Sequence, residues 1–269
     1  MSDTNNKEKE IQEQLTEEKQ RREEQCQQSK RWMEQGQCCY CGGQIGGLFT
    51  KKCKSCSKKK DPIAEEKYLE QERLSIAEQI EKGYKDIRFG GYDWRVLEVQ
   101  DSRVLLLSEN VLEERAYHSD YMKVTWEQCA LRQYLNDEFY NKFSQADRNK
   151  IAQMSIVNNK NPWYGTDGGE NTNDYIFLLS LEEVVQYFGD SGMLSNRPDA
   201  NASWINDDFN KKRIAHYATG ASSLWWLRSP GDFGDGATGV GTAGNISVDG
   251  SDVNTILGNG VRPALWLKL

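Results

Sequence analysis

Histidine is nearly absent from this chain: its 269 residues contain His118 and His216 and no others. Chemistry built on several imidazoles is thereby excluded. Long apolar runs are missing too. None approaches the roughly 18 residues of a membrane span, and the opening MSDTNNKEKEIQEQ has no signal-peptide core. These absences lead us to expect a cytoplasmic protein with no membrane partner. Positive charge is in deficit, with a net charge of -7 and a pI of about 5.1, so nucleic acid is a disfavoured partner. A hydrophobic fraction of 37% and a mean hydropathy of -0.79 are low for a chain that is compact throughout. Yet 8 Trp, 12 Tyr and 8 Phe are more than a disordered chain holds. The composition averages two unlike regions.

Six of the seven cysteines fall within residues 26–56. Without an export signal, such clustering reads as metal ligation rather than as disulfides. Cys38 and Cys41 form one C-x-x-C pair and Cys53 and Cys56 another, with eleven residues between the pairs. Each pair can place two thiolates on one ion from a tight knuckle, and Gly42 and Gly43 allow the first knuckle its turn. Four sulfurs complete a tetrahedral shell with no open position, so the expected cofactor is a structural Zn2+ in a small ribbon. Cys39 competes with Cys38 as a ligand, and Cys26 reads as a free thiol. Leu48 and Phe49 are candidate core residues between the pairs. Lys51, Lys52, Lys54, Lys58, Lys59 and Lys60 read as a solvated basic face, since no aromatics interleave for base stacking.

The remaining organisation follows from pattern. Residues 1–35 are almost entirely Glu, Gln, Lys and Arg, too poor in Ile11-, Leu15-, Trp32- or Met33-like residues for an apolar stripe. They form a polar arm, helical or disordered, with self-association through these helices as one option. Residues 36–60 are the ribbon. Residues 61–84 are a helical linker opened by Pro62 and ended near Gly83. Residues 85–269 form an α+β domain. Within it, residues 87–99 alternate like a hairpin broken at Gly90 and Gly91, and 103–107 form a strand. A helix with a capping box is expected from Thr125, carrying Leu131, Leu135 and Phe139 on its apolar face, and a second over 144–154. A strand over 175–179 leads to a helix capped by Ser180 and ending near Phe188. Further strands lie near 223–228, 238–242, 245–249 and 261–267.

WWLRSP at residues 225–230, a Gly/Asn-rich hairpin, and GVRPALW at 260–266 together resemble a large uncharacterised bacterial domain family. Thr125-Trp-Glu with Leu131, Arg132, Leu135 and Asn136 fits the same pattern, as do Asp174-x-Ile-Phe-Leu-Leu-Ser180 and the preceding Cys-x-x-Cys-Gly-Gly ribbon. That family is similar to the C-type-lectin-like fold of the formylglycine-generating enzymes and of retroelement variable proteins. The resemblance implies that the domain's first strand (89–99) pairs with its last (261–267), burying Trp94, Val96 and Leu265. It also implies that binding residues are displayed from the final hairpin.

The enzymes of that fold use paired cysteines, whereas this domain holds Cys129 alone, and no nucleophile-elbow motif is present. Calcium is a possible second cofactor. Residues 204–207 and 196–199 faintly resemble lectin calcium motifs, and residues 167–174 supply oxygens, but the spacing of a calcium loop is missing. Period-two alternation sends Val240, Ile246 and Val248 to one face and Gly239, Gly241, Asn245, Ser247 and Asp249 to the other. The expected function is non-catalytic binding of a protein or polar ligand by Asp232, Phe233, Asp235, Asn245, Ser247, Asp249, Asp252 and Asn254. An enzyme with a cysteine-independent site in the same loops, or an assembly scaffold acting through the N-terminal helices and ribbon, are the alternatives. One of the adjacent Trp225 and Trp226 is expected to face the core and the other to be partly exposed. Arg228 and Arg262 are expected to bind loop carbonyls or carboxylates.

Overall fold

Glu, Gln, Lys and Arg lose little rotamer freedom in a helix, and in the computed structural model the N-terminal arm is helix α1, Ser2–Glu34. The structure describes residues 2–45, 52–56, 61–63, 74–256 and 258–269. Two units are distinguished, Met1–Gln79 and Ile80–Leu269. In the first, Lys19 and Glu23 pair one turn apart along α1. The arm is not wholly solvated: near its end Cys26 and Ser29 are buried, three residues apart on one face. Leu48, Phe49, Lys51 and Lys58–Lys60 lie outside the described residues, as do residues 64–73 of the expected linker helix. Its end is seen as α2, Ile76–Glu81, capped reciprocally by Ser75 and Glu78 and followed by Gly83 at φ +75°.

The second unit is mixed α+β, with more sheet than helix. It opens on β1 (Asp86–Phe89) and β2 (Tyr92–Gln100), an antiparallel hairpin whose two-residue turn is Gly90–Gly91, at φ +59° and +86°. Both values are positive, as the turn that matches strand twist requires. Strand β3 (Arg103–Ser108) returns beside β2, and β4 (Glu113–Glu114) follows.

The helix expected from Thr125 is broken. Residues 126–128 form a tight 3-10 turn, and Thr125 makes no side-chain cap. Helix α3 (Ala130–Tyr134) is capped instead by Cys129, whose sulfur accepts from the Arg132 amide at 3.3 Å. A widened π turn, Leu135–Phe139, comes next. There the Asn136 side chain donates to the Ile176 carbonyl and accepts from the Tyr175 amide, both at 2.8 Å. One side chain thus supplies strand-like hydrogen bonds from a helix, a reason for the local widening. Leu131, Leu135 and Phe139 are buried as their spacing requires.

Helix α4 (Gln145–Arg148) is a single turn capped by Ser144. Where the helix was expected to continue to Met154, the chain forms β5 (Ile151–Ala152) and β6 (Met154–Ile156). Burial of Ile151 against a sheet edge overrides local helix pattern. Strands β7 (Thr172–Asp174) and β8 (Ile176–Phe177) lead to α5 (Leu181–Phe188), whose Ser180–Glu183 capping box is complete. The helix buries Leu181, Val184, Val185 and Phe188, each stabilising by about 2 kcal/mol. Then follow β9 (Trp204–Ile205), α6 (Asn210–Arg213), β10 (Ala215–His216), β11 (Ser222–Pro230), β12 (Gly236–Val240), β13 (Ile246–Asp252), β14 (Asn259–Val261) and β15 (Ala264–Lys268).

One sheet runs β1-β2-β3-β15-β5, with β8 also on β15. The other runs β4-β14-β11-β12-β13-β9, with β10 on β11, and β6 and β7 pair separately. The last strand therefore lies beside β3, not β2: Leu265 faces Leu106, and β3 intervenes before the opening hairpin. The inference that the first and last strands pair directly is corrected to membership of one sheet. The expected strand over 261–267 is two strands in two sheets. Pro263 carries no amide for a ladder, and its carbonyl accepts from Ser108. Arg262 is wholly buried at this crossing, donating to the Ser108 carbonyl at 2.9 Å.

Trp225 and Trp226 are both buried, which corrects the expectation of one exposed ring. Strand β11 is interior to its sheet and covered on both faces. Each indole N–H finds a carbonyl, Trp225 that of Arg213 at 3.1 Å and Trp226 that of Arg115 at 2.9 Å.

Candidate functional site

Two groupings of chemically able side chains stand out, one in each unit. In the first unit the Sγ atoms of Cys38, Cys41, Cys53 and Cys56 all lie within 4.8 Å of one another. A metal–sulfur bond of about 2.3 Å sets a tetrahedral S···S edge of about 3.8 Å, and Cys41 and Cys53 stand 3.6 Å apart. The donor set fits a thiophilic ion that keeps no open position. Backbone geometry builds the first knuckle: the Gly42 amide donates to the Cys38 carbonyl at 2.9 Å, and Gly42 sits at φ +68°. A Cβ there would meet the Trp32 indole at 2.6 Å, so glycine is required twice over. Trp32, read from sequence as a stray apolar residue on the arm, packs on the knuckle. Cys39 is buried but outside the group, which resolves its competition with Cys38. The Ser55 hydroxyl, 3.2 Å from Cys53, brings that thiol down to about 6 and so favours the thiolate a metal needs.

In the second unit, three loops converge at one end of the β12–β13 hairpin. The Val124 amide donates to the Gly234 carbonyl at 2.9 Å, the Val253 amide to the Asp235 carbonyl at 3.0 Å, and the His118 amide to the Val253 carbonyl at 2.8 Å. The Asp232 amide bonds the Asp249 carbonyl at 2.8 Å. Backbone bonds therefore fix Asp232, Phe233, Asp235, Asp249 and Asp252 around one another, with Phe233 and Asp252 exposed, the other three half-buried, and the Asp249 carboxylate accepting from Ser247. Phe233 is 65% exposed, and Tyr121 and Met122, on the facing loop, are 60% and 50% exposed. Asp235, then Asp252, push the Tyr121 hydroxyl pKa up, with a smaller contribution from Asp232. Asn254 is exposed in the turn that follows β13. The result is an aromatic patch in a carboxylate rim.

Two of the expected binding residues are elsewhere. Asn245 lies at the opposite end of the hairpin, its carbonyl accepting from Gly241 across the turn, about 20 Å along the strand from Asp252. Ser247 is buried, and its hydroxyl donates to Asp249 at 2.7 Å and accepts from the Gly250 amide. It braces a bulge, because Val248, Asp249 and Gly250 oppose Thr238 alone. Alternation predicted an open outer face; the bulge instead turns Asp249 and the Gly250 amide onto the Ser247 hydroxyl, while β9 pairs along the edge of β13.

Sequence reasoning missed Tyr121 and Met122, whose signal was an apolar pair isolated in a polar run. It also missed Asn161, whose buried amide nitrogen donates to the carbonyls of Pro230, Gly231 and Val248 at 2.8, 3.2 and 2.8 Å. Nothing in its Gly/Asn-rich context marked that role.

Two of the carboxylates suggested for calcium, Asp207 and Asp174, are engaged. Asp207 pairs with Arg213 at 2.8 Å. Asp174 accepts from Arg132 at 2.7 Å and from the Trp126 indole at 2.9 Å. Among the described residues, the four thiols are the one group of three or more potential ligands close enough for an ion. Burial pushes the Cys129 thiol up to about 12, so it is no thiolate at neutral pH. His118 accepts from the Ala130 amide at 3.2 Å, a structural bond. Arg228 grips Glu183 and the Leu178 carbonyl, and Arg262 grips backbone carbonyls, as expected.

Residues 101–269 match a family described as a domain of unknown function (DUF6273). The chain belongs to this family. No curated protein and no solved structure matches it. The DUF6273 match begins between β2 and β3, so the opening hairpin and the four-cysteine group precede it. Among the described residues no helix is long and apolar enough to cross a membrane.

Proposed function

We propose that the DUF6273 domain is a non-catalytic binding module for a basic polypeptide segment of a partner protein. Its binding face is the patch of Tyr121, Met122 and Phe233 with Asp232, Asp235, Asp249 and Asp252. The observation that carries this reading is the exposure of three large apolar side chains on loops pinned by backbone bonds. Exposed apolar residues grouped inside a polar rim are characteristic of interaction surfaces. Aromatic faces attract cations, and the carboxylates would steer a basic partner toward them. Pinned loops lose little entropy on binding.

The four cysteines we assign to one structural Zn2+, and a reducing cytoplasm is the setting in which four free thiols persist to bind it. A C-type-lectin-like arrangement for the domain is supported by the WWLRSP and GVRPALW motifs and by the placement of its first and last strands in one sheet.

The test is fluorescence anisotropy with labelled peptides in which Lys and Arg alternate with Leu and Trp, against Glu-bearing counterparts. The cationic peptides should bind, more weakly as salt rises, and at least tenfold more weakly to the Asp235→Asn/Asp252→Asn double variant and to Phe233→Ala. Equal binding of acidic and basic peptides, or binding unchanged in both variants, would overturn the proposal.

A further inference from the structure

A cleft of about 550 Å³ opens elsewhere on the same unit, between β2, the 109–110 segment, the end of α5 and α6. That volume suits a small molecule. Its charged lining is unbalanced in a chain of net charge -7. Arg95, Lys211 and Lys212 face a single carboxylate, Glu109. Glu109 is already held by Arg95 through two hydrogen bonds of 2.8 and 2.6 Å. Among the described residues no carboxylate pairs with Lys211 or Lys212, and Lys212 rests over the Phe209 ring.

A further cation stands behind this lining. Arg262 is fully buried, with its guanidinium 5.8 Å from the centre of Phe188, a residue of the cleft, and 3.4 Å from the Glu109 carbonyl. No carboxylate pairs with it, and its Nη1 has no hydrogen-bond partner. Burial, with Arg95 nearby, lowers its pKa to about 9. A buried cation without a directly paired carboxylate is costly; the charge of Glu109, already held by Arg95, opposes the shift without cancelling it, and an anion in the cleft would offset more of that cost. Phe188, Tyr187 and Ile214 provide an apolar wall, and the Tyr187 hydroxyl donates to Glu98 at 2.6 Å, which fixes its ring.

We propose that this cleft binds a small organic phosphate, its dianion between Lys211 and Lys212 and its ring or alkyl body against Phe188 and Ile214. Two ammonium groups without counter-ions match a double negative charge better than a single one. The site shares no residue with the acidic patch.

Isothermal titration of the full-length protein with phenyl phosphate, benzoate, inorganic phosphate and benzyl alcohol tests this assignment. Phenyl phosphate should bind at least tenfold more tightly than the other three. The Lys211→Gln/Lys212→Gln variant, altered at two exposed side chains and checked for an unchanged unfolding midpoint, should lose at least tenfold of that affinity. Absence of phenyl phosphate binding, equal binding of benzyl alcohol, or unchanged affinity in the variant would overturn the site. Benzoate binding as tightly as phenyl phosphate would overturn the assignment to a dianion.

Discussion

Asp207 grips Arg213 with both carboxylate oxygens, at 2.8 and 3.0 Å, and both side chains are almost wholly withdrawn from water. Arg213 also reaches the Gly189 carbonyl at 2.8 Å and so ties the exit of α5 to α6. Burial is the largest influence and acts to raise the Asp207 pKa, but the bonds from Arg213, Ser191 and the Phe209 amide, with the charge of Arg213, together outweigh it and the net shift is downward. A carboxylate whose folded pKa is lowered contributes stability above its ordinary value and loses it as pH falls through the folded one. We expect Asp207→Asn to cost about 3–5 kcal/mol at pH 7, because Arg213 is left buried without its counter-charge. Urea unfolding at several pH values checks this: the gap between wild type and variant should narrow below the ordinary carboxylate range.

The thiol group makes a sharper demand on identity. Native mass spectrometry should find one Zn2+ per chain, retained in Cys39→Ser and lost in Cys38→Ser. Loss of the ion on chelation should unfold the ribbon, because such a site supplies its own folding energy. A Cys39→Ser variant without metal would contradict the ligand set.

Gly90 and Gly91 share one turn but not one environment. A Cβ on Gly90 would lie 2.2 Å from the Phe143 ring, whereas one on Gly91 meets nothing within 4 Å. Gly91→Ala should therefore cost about 1–2 kcal/mol, the strain of a left-handed residue. Gly90→Ala adds displacement of a buried ring stacked on Phe89 and should cost about 3 kcal/mol. Paired denaturation curves measure the difference.

Asn161→Ala would leave three buried carbonyls and the Trp163 amide without their partner. At about 1 kcal/mol for each group, the expected loss is about 3–4 kcal/mol. Amide exchange at residues 231–236 should accelerate more than exchange in β3, since the side chain clamps that loop locally.

Periodicity and capping chemistry make Ser180 to Phe188, the Gly90–Gly91 hairpin and the two C-x-x-C knuckles legible in the sequence alone. These features are encoded within a few residues. Thr125 misled because its capping-box pattern competes with Asn136, whose partners lie about 40 residues away. Ser247 misled for a related reason. Alternation tells which side chains share a face but not that a bulge will turn Asp249 and Gly250 onto that face. The acidic half of the patch was visible as Asp232, Asp235 and Asp252, while Tyr121 and Met122 join it through pairings with sequence separations above 100 residues. Long-range hydrogen bonds of this kind leave no local trace.

The crossing at Arg262 and Pro263 has a kinetic side. Strand β14 lies between β4 and β11, and β15 lies between β3 and β5, so interior strands of both sheets come last in the domain's chain order. Neither sheet can close on the ribosome until residues 259–268 have emerged. The nascent domain must hold β3 and β11 with unfilled edges throughout its synthesis. Its sequence-distant contacts predict slow closure and a window in which those edges are open to other chains. Codon changes or truncations near this segment would therefore be felt as aggregation during production, before any loss of binding could be measured.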